Sequence, residues 1–167
     1  MTYDNISLLF GAFAPDKIVK GKHSVQEIHL FIDAMGGDHA PIAPVKGSVL
    51  ALRRDPRLKI SLAGILSEIE PLLADAGDVR GRITLVDAPE VITNHDAPAL
   101  AIRQMKKSSI VMGMLSVREG ASDGFVSAGS TGAVLVGGML RLGRIPGIER
   151  PALAPILPNG KGHFLLI

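Results

Sequence analysis

At 167 residues and 17.6 kDa the chain falls in the size range of one domain and is long enough to bury a single sizeable core. Hydrophobic residues make up 47% and the mean hydropathy is +0.31, which excludes a disordered chain; with aromatics at 4%, the core must come from Ala, Val, Ile and Leu. Eighteen Lys and Arg against sixteen Asp and Glu leave a net charge of +2, too small a surplus for a nucleic-acid surface, and the lack of Cys excludes a disulfide, a thiolate nucleophile or a Cys-ligated zinc.

Residues 1–28 mix a short apolar run with Pro15, Gly21 and scattered charge, and are expected to form an extension outside the core. The run from Ile6 to Phe13 mimics a signal peptide, yet Asp4 is the only charge before it and no Lys or Arg precedes it. The longest apolar stretches, Ile110 to Val117 and Gly132 to Leu140, fall short of the roughly 20 residues a spanning helix needs, so no transmembrane helix is expected. The cytoplasm is the default compartment for such a Cys-free chain.

Across residues 29–167 short apolar strands alternate with helical patterns, the signature of βαβ units and a mostly parallel sheet. Strands are predicted at His29 to Asp33, Leu58 to Gly64, Arg82 to Asp87, Asp123 to Ser127, Ala152 to Leu157 and His163 to Ile167. Helices are predicted at Pro41 to Arg54, Ser67 to Ala76, Pro98 to Lys107, Ser109 to Glu119 and Ser130 to Leu142. Val45, Val49 and Leu52 make one face of the first helix. Pro146 to Pro158 reads as irregular, and Phe164-Leu165-Leu166-Ile167 as a buried strand.

In an open parallel sheet, ligands bind beyond the carboxyl ends of the strands, so the residues just after each strand carry the information. The first such run is Asp33-Ala34-Met35-Gly36-Gly37-Asp38-His39-Ala40-Pro41. Paired glycines let a backbone approach a ligand there, and the carboxylates offer acceptors or a base; the alternative is a tight turn with Asp38 capping the helix. The second is Ser127-Ala128-Gly129-Ser130-Thr131-Gly132-Ala133, where backbone N–H groups and three hydroxyls at a helix start suit an anion; the alternative is close helix-on-sheet packing. No Gly-Lys-Ser or Gly-Lys-Thr follows, which excludes a P-loop, and no G-x-G-x-x-G follows the first strand, which excludes a Rossmann dinucleotide site.

Between these loops lie Arg103, Lys106, Lys107, Ser108 and Ser109. They read either as helix-dipole complements and caps or as extra cations and donors for the same anion. Arg144 and Arg150, around Pro146-Gly147, are comparable but more surface-like. The five histidines are scattered without metal-ligand spacing, so no zinc site is expected.

Taken in order, these runs resemble the PlsX family, the phosphate acyltransferases of bacterial phospholipid synthesis. The resemblance includes 33–41, Glu90-Val-Ile92, Asp96-x-Pro98, 103–109, 127–133 and the run from Gly143 to Leu153, and covers about residues 29 to 167. It implies a three-layer α/β/α fold with a mostly parallel sheet, similar to phosphotransacetylases and isopropylmalate dehydrogenases. The implied reaction converts acyl-ACP (the acyl-carrier-protein thioester) and inorganic phosphate to acyl phosphate and free carrier, with no cofactor. It further implies a homodimer that associates peripherally with the membrane, where a glycerol-3-phosphate acyltransferase consumes the product, and no nucleic-acid partner.

Carried over residue by residue, the resemblance assigns phosphate binding to Ser127, Gly129, Ser130, Thr131 and Gly132, assisted by Arg103, Lys106, Ser108 and Ser109. Asp33, Asp38 and His39 are assigned the catalytic tasks of orienting groups or relaying a proton. The chain departs from the family where Ser130 replaces the usual Asn of Ser-Ala-Gly-Asn-Thr-Gly, and where Met105 replaces a basic residue. Family members run to roughly twice this length as a two-lobed unit, so the fold is expected to be incomplete, stopping in the strand that leads to an Asp-Val-Gly-Ala-Asn-like loop. The competing readings are an inactive phosphate- or carrier-binding fragment, and a phosphate-ester kinase or nucleotide binder, against which the missing P-loop counts.

Overall fold

The computed structural model describes residues 27–149, 151, 154 and 156–165. The expected extension lies almost wholly outside the described residues. Two compact units share what is described, the first ending at Gly143 and the second beginning at Arg144.

The first unit is built on a four-stranded parallel sheet of β1 (Ile28–Asp33), β2 (Leu58–Gly64), β3 (Ile83–Asp87) and β4 (Gly124–Val126), in the order β3-β2-β1-β4. Leu30 pairs with Ile60 on one side and with Gly124 on the other, so β1 is central and the apolar runs are buried from both faces. Side chains alternate across the sheet. Ile60 and Leu62 pack with Val45, Val49 and Leu52 of α1 (Ile42–Arg54), whereas Phe31, Ala63 and Phe125 pack with Ile102, Ile110 and Val111. The latter three come from α3 (Pro98–Gln104) and α4 (Ser109–Arg118). Helices thus cover both faces, the expected three-layer α/β/α arrangement. Gly113 brings α4 close to the sheet, because a Cβ there would collide with the Phe125 ring and lie 2.9 Å from Phe31.

The predicted strands and helices of this unit are present, with informative differences. The helix predicted at Ser67 to Ala76 is only α2 (Leu66–Ile69), followed by a 3-10 turn at Glu70–Leu73. Pro71 causes the change, since it lacks the N–H that an α-helix would use and crowds the preceding turn. The helix predicted at Ser130 to Leu142 is α5 (Thr131–Gly137), with Ser130 as its N-cap, continued by a π turn over Gly138–Leu142. The consecutive glycines at 137 and 138 weaken the α register at that join. Asp38 is not the cap of α1. The cap position is Pro41, without a side-chain cap hydrogen bond.

Behind α1, Arg57 donates through Nε and Nη2 to the Asp55 carboxylate, at 3.0 and 2.7 Å to its two oxygens, and also through its backbone N–H at 2.9 Å. These hydrogen bonds hold the Asp55 carboxyl down at about 2. Because the folded value lies below the unfolded one of about 3.9, the stabilisation is present above that value and is lost as pH falls through about 2. Arg57→Ala is therefore expected to move the Asp55 titration upward toward about 3.9 and to shrink this acid-sensitive contribution, checked by NMR titration of the carboxyl.

The second unit contains β5 (Ile156–Pro158) and β6 (His163–Leu165), paired antiparallel with Leu157 opposite Phe164. The reading of Phe164 and Leu165 as part of a buried strand is corrected: they are 45% and 52% exposed. Leu166 and Ile167 lie outside the described residues, as do parts of the strand predicted from Ala152. Nor do these strands join the parallel sheet. Only Asn159–Gly162 separates them, with Gly160 at φ +80°, and so short a link makes a hairpin, whereas parallel neighbours need about a dozen residues or more. The Pro-Asn-Gly run at 158–160 already carried that signal.

Candidate functional site

The chain steps from β1 to β2 to β3 in one direction and then returns to place β4 on the other side of β1. This reversal makes a switch point at the carboxyl ends of β1 and β4, the place where ligands bind in an open parallel sheet. The two loops singled out from sequence, 34–41 and 127–130, are the ones that follow these two strands.

Asp33 ties them together. Its side chain is 3% exposed and accepts the Ser109 hydroxyl at 2.6 Å through Oδ1 and the Ser127 hydroxyl at 2.7 Å through Oδ2. The Met35 N–H donates to Oδ1 at 3.0 Å, closing the turn after β1. The Gly129 N–H in turn donates to Ser127 Oγ at 3.0 Å, folding the second loop back over the first. The loops touch at two glycines. Gly36 is packed against Asp33, Ser127 and the Gly129 amide, and Gly37, at φ +99°, would place a Cβ 3.1 Å from that of Ala128.

The helix starts complete the site. Ser130 caps α5 by accepting the Ala133 N–H at 3.3 Å, and Gly132 admits Pro98 of α3, which would lie 2.9 Å from a Cβ there. Ser108 caps α4, accepting the Val111 N–H at 3.3 Å while donating to the Met105 carbonyl at 2.8 Å. Its side chain is fully buried, so its task is to start the helix that carries Ser109 to Asp33. Thr131 is exposed at the first turn of α5.

The structure thus brings Asp33, Ser109, Ser127 and Gly129 into one hydrogen-bonded cluster, with Ser130, Thr131 and Gly132 following on the same loop. No hydrogen bond or ion pair among the described residues joins the side chains of Asp38, His39, Arg103 or Lys106 to it, and all four are exposed. Two positioning groups were not picked out as site residues from sequence. Glu90 accepts the Lys107 N–H at 2.6 Å and sits in an isolated parallel bridge with Ser108, which fixes the basic turn against the end of β3. Asp96 accepts the Thr93 N–H at 2.7 Å and hydroxyl at 2.8 Å, and these hydrogen bonds lower its pKa. The signal in both cases was an isolated acid in a strand-to-helix loop, which by itself does not reveal its partner.

A family model described as fatty acid synthesis protein matches residues 28–167. The chain belongs to this family. Among curated members of the fatty acid synthesis protein family, the phosphate acyltransferase of Levilactobacillus brevis is 52% identical over 127 residues, covering 76% of this chain and 36% of that protein. The phosphate acyltransferase of Shewanella amazonensis is 46% identical over 140 residues, covering 82% and 41%. The chain thus spans about two-fifths of the length of these relatives. A phosphotransacetylase from Streptococcus pyogenes superposes with a TM-score of 0.53 at 17% identity, covering 74% of this chain and 40% of that one, which shows a shared fold. The PlsX resemblance and the α/β/α expectation are therefore both met, and no helix among the described residues is long and apolar enough to cross a membrane.

Proposed function

We propose that this chain carries the phosphate-binding loops of a phosphate acyltransferase that moves an acyl group from acyl-carrier protein to inorganic phosphate. The observation that carries the reading is the meeting of the 34–41 and 127–130 loops at the sheet's switch point, beside the exposed Thr131. The relatives are named phosphate acyltransferases, which supports the same transferase class.

A phosphate oxygen attacks the thioester carbonyl carbon, the tetrahedral oxyanion collapses, the C–S bond breaks, and the carrier thiolate leaves and takes up a proton. Phosphate is already a nucleophile at neutral pH, so the protein's task is to orient and desolvate it and to stabilise the oxyanion. A thiolate with pKa near 8.5 leaves with little help from an acid. The α5 start (Gly129, Ser130, Thr131 and Gly132) holds the anion, Arg103 and Lys106 supply positive charge, and Ser108, Ser109, Ser127 and Asp33 shape the loops. Asp38 and His39, exposed on the first loop, face incoming substrate. On this reading the enzyme is a cytoplasmic homodimer that works against the membrane surface and hands acyl phosphate to a membrane glycerol-3-phosphate acyltransferase.

The test is incubation with acyl-carrier-protein thioester and phosphate, trapping acyl phosphate with hydroxylamine. Thr131→Ala and Lys106→Ala are each expected to raise the KM for phosphate by roughly tenfold or more, the size of one charge-assisted hydrogen bond. Unchanged KM and turnover in both variants would remove these residues from the site. A second reading, a phosphate-binding portion without turnover, is favoured by the two-fifths span of the relatives. It predicts phosphate binding without trapped acyl phosphate.

A further inference from the structure

We infer that Asp33 is a positioning residue rather than the reaction's proton acceptor, and that it decides which hydroxyls of the site are left to hold an anion. The inference deepens the proposed phosphate site and rests on it for its second half only.

A serine hydroxyl has one proton to give. Ser109 gives its proton to Asp33 Oδ1 and Ser127 gives its proton to Oδ2, so toward anything else both offer only lone pairs. Ser127 already spends a lone pair on the Gly129 N–H. Phosphate presents acceptor oxygens and needs donors. Two of the three hydroxyls that look suited to phosphate at Ser127, Ser130 and Thr131 are therefore available, and Ser109 drops out with Ser127. Ser130 accepts from Ala133 N–H and keeps its proton but is buried at 6% exposure, whereas Thr131 is exposed with no side-chain hydrogen bond among the described residues. The exposed donor is thus Thr131 at the start of α5, and the Asp33 side is a closed, internally satisfied clamp.

The same geometry excludes Asp33 as the base. A base must come within about 2.6–3.2 Å of the proton it takes. Asp33 is 3% exposed, three donors already surround it, and Gly36 and Gly129 close over it so tightly that neither tolerates a Cβ without displacement. In Asp33→Asn the carboxamide has one acceptor oxygen and one donating NH2 group, so it cannot accept both serine protons. One serine must turn away, and the link between the loops is cut.

The experiment compares wild type with Asp33→Asn, Ser127→Ala, Ser109→Ala and Thr131→Ala in the same chain. Without ligand, amide hydrogen exchange at Gly129 is expected to accelerate at least about tenfold in Asp33→Asn and in Ser127→Ala. Unchanged exchange at Gly129 in both overturns the clamp. If Asp33→Asn does not fold cooperatively, Asp33→Ala, which removes the anchor of Ser127 while leaving Ser127 Oγ in place as the Gly129 acceptor, decides alone. Titrated with inorganic phosphate at constant ionic strength, Thr131→Ala is expected to weaken binding about tenfold and Ser109→Ala clearly less, because Ser109 acts only through Asp33. Equal weakening in both makes Ser109 a direct donor and overturns the sorting of hydroxyls. In the hydroxylamine assay, Asp33→Asn should raise the KM for phosphate and keep the shape of the kcat–pH profile. Loss of an acid limb from that profile makes Asp33 the proton acceptor and overturns the inference. If wild type binds no phosphate, the proposed function falls, and the Gly129 exchange result still decides whether Asp33 holds the loops.

Discussion

Gly36→Ala should cost about 3 kcal/mol of stability and abolish the phosphate binding proposed for the two loops that meet at it. The added methyl would collide with an Asp33 carboxylate oxygen and lie 2.8 Å from the Gly129 N and 2.9 Å from Ser127 Oγ. None of these is the free end of a flexible side chain. One is backbone, and the other two are joined to each other by the 2.7 Å hydrogen bond between the loops. Overpacking alone costs about 1–3 kcal/mol. Separating Asp33 from one serine adds about 1–3 kcal/mol, because a buried carboxylate is then left short of a donor. A loss of this size is a large fraction of the roughly 5–15 kcal/mol that keeps a domain folded. Urea unfolding followed by circular dichroism measures it. Gly47→Ala is the control, since α1 has nothing within 4 Å of a Cβ there, and the helix should gain up to about 1 kcal/mol. A Gly36→Ala variant as stable as wild type would mean that the two loops do not meet as described.

Leu62→Ala should destabilise the first unit by about 2–5 kcal/mol, the range for emptying a fully buried leucine site. Leu62 lies in the middle of β2, between β1 and β3, with 0% exposure, and packs in the cluster that α1 closes with Val45 and Leu52. Strand pairing holds the backbone on both sides, so the neighbours have little freedom to collapse into the space. Leu50, 53% exposed on α1, gives the comparison: its alanine variant should stay within about 0.5 kcal/mol of wild type. Thermal denaturation of the two variants side by side checks both values. Equal losses would place Leu62 outside a rigid core.

Much of this arrangement was legible in the sequence because it depends on local chemistry. Leu58 to Gly64 is a strand at the residues expected, since six apolar or small residues interrupted only by Lys59, between turn signals, leave a strand few other choices. Val45, Val49 and Leu52 are buried as their spacing predicts. The glycines at 36, 37, 129 and 132 marked loops where backbone and side chains come close, and each of them meets a neighbour that a Cβ would strike or crowd. The misreadings arose where one local signal outweighed another. Apolar content made Phe164 and Leu165 look buried, whereas the short Asn-Gly link beside them dictated a two-stranded hairpin in which both side chains are about half exposed. A run of helix formers hid the effect of Pro71.

The division at the site follows the same physics. By itself the sequence determined the α/β class, the two glycine-bearing loops, and the family, because each is written in contiguous runs of residues. Tertiary structure alone decided that β4 lies beside β1, and so which two loops meet. It also decided what surrounds Asp33. Its hydroxyl partners are 76 and 94 residues away in the chain, and no spacing rule reaches that far. A carboxylate after a strand has the same local signature whether it is open to substrate or buried among three donors. Only strand order and helix packing determine how many donors reach it, and that number separates a base from a clamp.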